Sequence, residues 1–530
     1  MEGGLVEHFN SNLALSRCRQ KMRGYVPFFI PILLVLFSLN GLTSSQLHLI
    51  YSIYSPGYLG LLKRADWKEA TIDYLSRLWS QIKDDPNPAL LLAFGEEGAP
   101  GVKKGGSSSE QIVEIAKGCE ERGINFFLQI AGPTPPLITL STCEKVFKIA
   151  PRTCKGVYLS EPLNAGHGWN YLNDLISFRN LCKEYKRKMV WAEHSRDGTK
   201  GMGWWGFSMV DTDGWAKLFN KDYSDVIVPL HETNDPRAET LNLGACLGMW
   251  LGGLAKEWGF SAQDWWWRDA GYGPIQTCPP DVIFRMCLQA ASLGATYIQF
   301  EHMQMIWEWG TWSLAPIYKE GIKPFIELYR GGKIRIPSRD EILSFSPIAI
   351  KLLNQKGLAL FESASWLKET PESYIPRYFY NERIYQDGLI PETPYGILVL
   401  FPTNASVPRG RFSHVLESNG SQIYYEGKSY SHPESRSLIL SLAEKSPLPL
   451  KVEKAYGVLT RVSRGRFLLW LINSVEKEPP KVEISLRLFL GYKEYSLYDR
   501  ETGEMIGKAK DGENVNIPLA TYRLIEVHVR

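Results

Sequence analysis

From Gln46 onward, short apolar runs alternate with longer stretches in which apolar residues recur every three or four positions. The apolar runs are Leu47–Tyr54, Ala89–Phe94, Asn125–Ile130, Gly156–Leu159, Lys188–Ala192, Asp225–Leu230, Gly259–Gln263 and Thr296–Phe300, eight in all. Runs of this kind suit strands buried on both faces. The intervening DWKEATIDYLSRLWSQIK and SSEQIVEIAKGCEERG carry helical spacing. Strand–helix alternation gives parallel strands joined by right-handed crossovers. Eight such units within about 280 residues predict a (β/α)8 TIM barrel. A doubly wound open sheet is the alternative topology. No GxGxxG opens a helix after a strand and no GxxxxGK[ST] occurs, so no motif supports a nucleotide site.

The character changes after Gly331-Gly332. YGILVLF, SQIYYEG, GVLTRVS, RFLLWLI, VEISLRLFL, YSLYDR and TYRLIEVHV are short β-like runs separated by turn residues, the pattern of an antiparallel β-sandwich. The expected organisation is a barrel over 46–335 and a β-rich C-terminal domain over 336–530. Ahead of both, residues 1–45 carry a basic cluster (Arg17, Arg19, Lys21, Arg23), then an apolar run from Tyr25 to Leu39 and small residues at Thr43 and Ser45. These are the parts of a signal peptide with cleavage before Gln46, or of an uncleaved signal anchor tethering the chain to a membrane. An extracellular or cell-surface location follows as an expectation.

Composition narrows the function. Lys+Arg 60 against Asp+Glu 57 leaves a net charge of +3, without the basic excess of a nucleic-acid binder, so no nucleic-acid partner is expected. Of eight Cys, Cys18 lies in the leader; the other seven show no CxxC spacing, which argues against structural zinc, and Cys143–Cys154 is the easiest local disulfide. Aromatic residues make up 12% of the chain. Twelve of its 17 Trp fall between the fifth strand and the loop after the eighth: Trp191, Trp204, Trp205, Trp215, Trp250, Trp258, Trp265, Trp266, Trp267, Trp307, Trp309 and Trp312. Gathered near a barrel mouth, they suggest faces on which sugar rings stack.

Barrel enzymes carry their chemistry where the strands end. Reading past each candidate strand gives Glu96 and Glu97 after the second, Gln129 near the end of the third, and Glu161 after the fourth. Glu193 and His194 follow the fifth, His231, Glu232 and Asn234 the sixth, Asp264 the seventh, and Glu301 and His302 the eighth. Carboxylates converging beside Trp suit glycosidic cleavage, which needs one protonated carboxyl for the leaving oxygen and one carboxylate across the ring. The alternative for each acid is a helix cap or an ion pair. Glu97, Glu193, His194, His231, Glu232, Asn234, Trp265, Trp266, His302 and Trp307 are the candidate substrate-binding residues. A zinc or iron set from His194, His231, Glu232 and His302 is the competing chemistry, but no HExxH-like spacing exists. No metal and no cofactor is expected, and no GxSxG supports a serine nucleophile.

The segments VIVPLHETNDPR, CLGMWLGGLAKEWGFSAQDWWWRDAGYG and GATYIQFEH resemble the catalytic barrel of glycoside hydrolase family 98. RIPSRDEILSFSPIAIKLLN and GLIPETPYGILVLFP are similar to that family's junction and β-rich region. The resemblance covers most of residues 46 to 402. It implies a (β/α)8 barrel with a C-terminal β-sandwich and endo-acting, inverting hydrolysis of a polysaccharide or glycan, of endo-β-galactosidase or xylanase type. It implies Glu161 as general acid and Asp264 with Glu301 as the base pair, with Asp269 and Asp235 as alternatives to Asp264. Two other readings share the same mouth: a non-catalytic carbohydrate-binding TIM barrel and a retaining glycosidase.

Overall fold

The computed structural model describes residues 45–529, except 103, 133, 163–170, 194–215, 233–238, 265–266, 268–272, 345–346, 355–398, 447, 454 and 474–480. The segment expected to be a signal peptide or anchor, apart from Ser45, therefore lies outside the described residues. Among them, no helix is long and apolar enough to cross a membrane. Residues 45–530 form one compact unit.

Eight parallel strands close into a barrel: β1 (His48–Ser52), β2 (Pro88–Ala93), β3 (Phe126–Ala131), β4 (Cys154–Ser160), β5 (Lys188–Glu193), β6 (Ile227–Glu232), β7 (Gly259–Ala262) and β8 (Tyr297–Phe300). Closure runs through β1 and β8, from His48 opposite Tyr297 to Tyr51 opposite Phe300. All eight apolar runs form strands, each end within a few residues of the expected one. The crossover helices are α1 (Trp67–Ile82), α2 (Ser109–Arg122), α3 (Leu140–Ile149), α4 (Leu172–Glu184), α5 (Glu239–Leu251), α6 (Pro280–Ser292) and α7 (Lys323–Arg330). Their ends follow local chemistry. In α2, Ser108 and Gln111 form a reciprocal capping box, and Gly123 closes the helix at φ 68°. In α1, Ile72, Leu75, Leu78 and Ile82 recur at helical spacing and are buried.

Strand pleat divides the barrel core in two. Ile50, Leu91, Phe127, Tyr158, Val190, Leu230 and Tyr297 form a small inner cluster, while their neighbours pack outward under the helices. Two residues further along, the inner column turns polar: Ser52 follows Ile50, Gln129 follows Phe127, Ser160 follows Tyr158, Glu232 follows Leu230, and Gln299 then Glu301 follow Tyr297. A period of two along the strands thus carries the interior from packing to chemistry at the carboxyl ends.

The C-terminal region is richer than a single sandwich. A three-stranded sheet, β14 (Leu450–Glu453), β17 (Val482–Leu488) and β20 (Val515–Leu519), faces a five-stranded one. The latter is built from β15 (Tyr456–Ser463), β16 (Arg466–Ile472), β18 (Glu494–Asp499), β19 (Met505–Lys510) and β21 (Tyr522–Val529). All pairings in these two sheets are antiparallel, and they share one apolar core, as expected for a sandwich. A further mixed sheet was not anticipated. Its β9 (Ile348–Leu352) pairs in parallel with both β10 (Val399–Phe401) and β11 (His414–Ser418), and the hairpin of β12 (Ile423–Tyr425) and β13 (Lys428–Tyr430) extends it. Helix α8 (His432–Lys445) follows. The mixed sheet docks on α5 through Gly248, where a Cβ would stand 1.7 Å from the Leu400 carbonyl oxygen.

All seven described cysteines are buried free thiols, which corrects the expected Cys143–Cys154 disulfide. Both lie in the apolar layer between strands and helices, where burial pushes their thiols up and packing alone accounts for them.

Candidate active site

The polar ends of the inner columns meet at the carboxyl face of the barrel. A cavity of about 380 Å³ opens there, lined by Ser52 and Tyr54 from β1 and its loop, Gln129, Ser160, Gln299 and Glu301 among others. The backbone brings two acids to this face by extending the ladders beyond the strands. Glu161 N–H donates to Ala192 O at 2.9 Å, and Glu301 N–H donates to Ala262 O at 3.0 Å. Glu161 has φ 50°, in the left-handed region that a non-glycine residue enters at a cost of about 1–2 kcal/mol. The pleat of β4 therefore breaks at that carboxylate.

Four acids gather here. Glu232 is fully buried at the end of β6, where its Oε1 accepts from Gln263 Nε2 and its carboxyl is within hydrogen-bonding reach of Glu161. Burial, then the charges of Glu161 and Glu301, hold Glu232 well above the usual carboxylate range. Glu301 is likewise held high, by burial first and then by Glu161 and Asp264. Like charges this close in low dielectric cannot all ionise together, so the cluster retains protons. Asp264 is buried after β7, with its Oδ2 3.8 Å from His302 Nε2. Beneath the acids, Ser261 Oγ donates to Gln299 Oε1, and Gln299 Nε2 donates to Ser52 Oγ at 2.9 Å, linking β7, β8 and β1. Ser261 also stands close to Glu301 and Tyr158.

Of the residues singled out in the sequence, Glu161, Glu232, Asp264, Glu301 and His302 come together. His194, Asn234, Trp265 and Trp266 lie outside the described residues, as do Asp235 and Asp269; Glu193 closes β5, but its side chain is not described. Others sit apart. Glu97 is exposed in the loop after β2. Its neighbour Glu96 is buried as a cap of α3, accepting from Thr139 N at 2.6 Å and from Thr142 Oγ1 at 2.7 Å. His231 is 1% exposed, and pleat alternation turns it to the helix side of β6; burial lowers its imidazole to about 3. Trp307 is 1% exposed and packs edge-on against Tyr51 at 6.3 Å. Neither His231 nor Trp307 offers a face to a ligand, a correction to their candidacy as binding residues. Trp191, Trp250, Trp258 and Trp267 are core residues as well. Of the seven described among the twelve gathered Trp, five are therefore packing between strands and helices, while Trp204, Trp205 and Trp215, like Trp265 and Trp266, lie outside the described residues.

The aromatic surface at the mouth comes instead from β1. Tyr54 and Tyr58, in the YSPGY turn, line the cavity. Tyr58 is 76% exposed and Trp309, beside it, 53%. The sequence signal was the pair of Tyr flanking Pro56-Gly57 directly after the first strand. Among the described residues, no group of three His, Cys, Asp or Glu is placed to hold a metal ion.

Comparison with known proteins agrees with this architecture. Residues 106–368 match the family model described as the Lambda-carrageenase middle domain. The catalytic module of a family 98 glycoside hydrolase from Streptococcus pneumoniae, in complex with the H-disaccharide blood group antigen, superposes with a TM-score of 0.50 at 13% identity, covering 91% of this chain and 98% of that one. The native form of the same module gives a TM-score of 0.50 at 14% identity over the same shares. No curated protein matches the chain in sequence. The chain thus has the fold of the family 98 catalytic module, barrel and C-terminal sheets together, the family that its sequence resembles.

Proposed function

We propose that the protein is a glycoside hydrolase that cleaves internal glycosidic bonds of a polysaccharide or glycan with inversion. The observation that carries this reading is the clustering of Glu161, Glu232, Asp264 and Glu301 at the carboxyl face of the barrel, with Glu301 lining the cavity there. In the proposed mechanism Glu161 protonates the leaving oxygen. Beside it Glu232 is held above the usual carboxylate range, by burial first and then by the charges of Glu161 and Glu301, so a proton is kept within the acid cluster. Asp264 and Glu301 act as a coupled pair on the opposite side of the sugar, in which the ionised member takes the proton of the attacking water and the other orients it. Strain at Glu161 fits a residue placed for chemistry and not for packing. A glycan substrate is supported by the relatives: the pneumococcal module was solved with a blood group antigen, and the matching family model is named for a carrageenase. The basic cluster and apolar run before Gln46 support export or a membrane tether.

The test is a glycan panel with product analysis by NMR on the first turnovers. Inversion gives a product anomer opposite to the bond cleaved, and the same anomer would instead mean a retaining enzyme. Glu161→Gln should bind glycan normally and lose about 10²–10⁴-fold in hydrolysis of unactivated substrates. Full activity in that variant would remove β4 as the source of the acid.

A further inference from the structure

The mouth of the barrel carries a second feature, on its β1–β8 side. The chain from Trp307 to Leu314 forms a tight hairpin, bridged at its ends, with Glu308 N–H donating to Ser313 O at 2.9 Å and Trp312 N–H to Glu308 O at 3.0 Å. Gly310 turns its tip at φ 82°, and Trp312 is held at φ 54°. Helix α1 braces the hairpin from the side. Arg77 Nη2 donates to Thr311 O at 2.7 Å and Gln81 Nε2 to Trp312 O at 2.9 Å. Trp312 supports the cluster, its ring edge-on to Tyr74 at 5.5 Å and to Tyr54 at 5.4 Å. What this bracing presents to solvent is Trp309.

Trp309 does not stand alone. Its ring meets Tyr54 at 4.5 Å with a 71° angle and Tyr58 at 6.2 Å with 69°. Tyr54 and Tyr58 are nearly parallel, 22° apart at 6.3 Å. Together Tyr58 and Trp309 make two walls of an open aromatic corner. Folding alone does not call for this. A strained residue, two braces and a hairpin hold large apolar rings in water, where polar residues would serve stability better. The corner is also continuous with the acidic cavity, since Tyr54 and Tyr58 line both.

We propose that the Tyr58–Trp309 corner is a sugar-stacking subsite that holds one pyranose ring of a glycan chain running out of the acidic cavity over the β1–β8 lip. The proposal rests on the glycosidase reading above for the direction of the chain. A pyranose has one face of C–H bonds and a rim of hydroxyls, so its face lies on one ring while its edge meets the second. Rings already locked in place lose little freedom on binding, which is how a braced hairpin contributes affinity. Tyr58 borders the cavity and Trp309 lies beyond its lining, so a ligand too short to leave the cavity would not reach Trp309, and the subsite distinguishes long from short glycans.

Calorimetric titration of the full chain bearing Glu161→Gln, with hexasaccharides from carrageenan and from xylan and with the H disaccharide, tests this. Tyr58→Ala and Trp309→Ala should each weaken the bound hexasaccharide about 10-fold, a stacking contribution of about 1.4 kcal/mol, and Trp309→Ala should leave a bound disaccharide unchanged. Trp309→Phe, which keeps a ring, should recover most of the affinity. Hexasaccharide affinity unchanged in both Ala variants would overturn the subsite and leave the glycosidase reading standing. Weakened binding in a wild-type protein that hydrolyses none of these glycans would keep the subsite and overturn hydrolysis. Absence of binding to all the probes would overturn both.

Discussion

At the level of single residues, the barrel interior is controlled by which member of each strand pair faces inward. Glu232 faces in and His231 faces out, although they are adjacent. Glu232 is therefore the buried acid whose charge is opposed by burial and by its neighbours, and its titration has a consequence for stability. Its folded pKa is raised above the ordinary 4.5. The native state then holds a proton that the unfolded chain has released. Stability from this group is complete below about pH 4.5 and falls as pH rises toward the folded pKa, by up to about 1.4 kcal/mol per pH unit for one proton. Glu232→Gln should flatten that decline. Urea midpoints between pH 5 and 8 check it, and an equally steep decline in the variant would mean that Glu232 is ionised in the native state.

At the level of elements, neighbouring acids take unlike roles because one of them is used to finish a helix. Glu96 satisfies the first turn of α3 through the Thr139 amide and two threonine hydroxyls, whereas Glu97 points into solvent. Removing the buried acceptor leaves those donors unmet. Glu96→Ala should destabilise the protein by about 2–3 kcal/mol, and Glu97→Ala by less than about 0.5 kcal/mol, in denaturant titrations. A tolerant Glu96 would mean that water caps α3 as well as the carboxylate does. The pair also explains why a strand-end acid is only a candidate in sequence. A capping acid and a catalytic acid occupy the same place in the pattern, and they differ in whether a helix end or a cavity lies across from them. The eight strands were legible because each is a short apolar run between amphipathic helices. Strand β9 was not, since its partners β10 and β11 lie about 50 or more residues away along the chain.

At the level of the whole molecule, the barrel and the C-terminal sheets are joined by shared packing. Strand β16 reads RFLLWLI, and its faces go to different cores. Phe467, Leu469 and Leu471 fill the sandwich, while Leu468, Trp470 and Ile472 join the core that continues into the barrel. Arg285, fully buried on α6, crosses the same boundary. Its Nη1 donates to Asn473 O at 2.7 Å and its Nη2 pairs with Asp281 at 3.0 Å, beside Phe284 stacked edge-on with Tyr522 at 4.9 Å. A chain ending at residue 335 would expose this apolar face. It should fail to give a soluble cooperative fold, as seen by circular dichroism and size-exclusion chromatography, while the chain from Gln46 to the end unfolds in one transition. A stable soluble 46–335 fragment would show that the barrel is self-sufficient.

The sequence by itself determined the barrel, its strand count and the set of acids at the strand ends. Those follow from local rules: run length, the helical period and the place where a strand stops. It also carried the resemblance that pointed to family 98. Only the tertiary structure decided which acids gather at the barrel mouth, since that depends on closure of β1 against β8 and on which side each pleat faces. It moved most of the described Trp into the core and brought Tyr54 and Tyr58 to the mouth beside Trp309. Composition counts rings, but only packing determines which ring faces stay open to solvent.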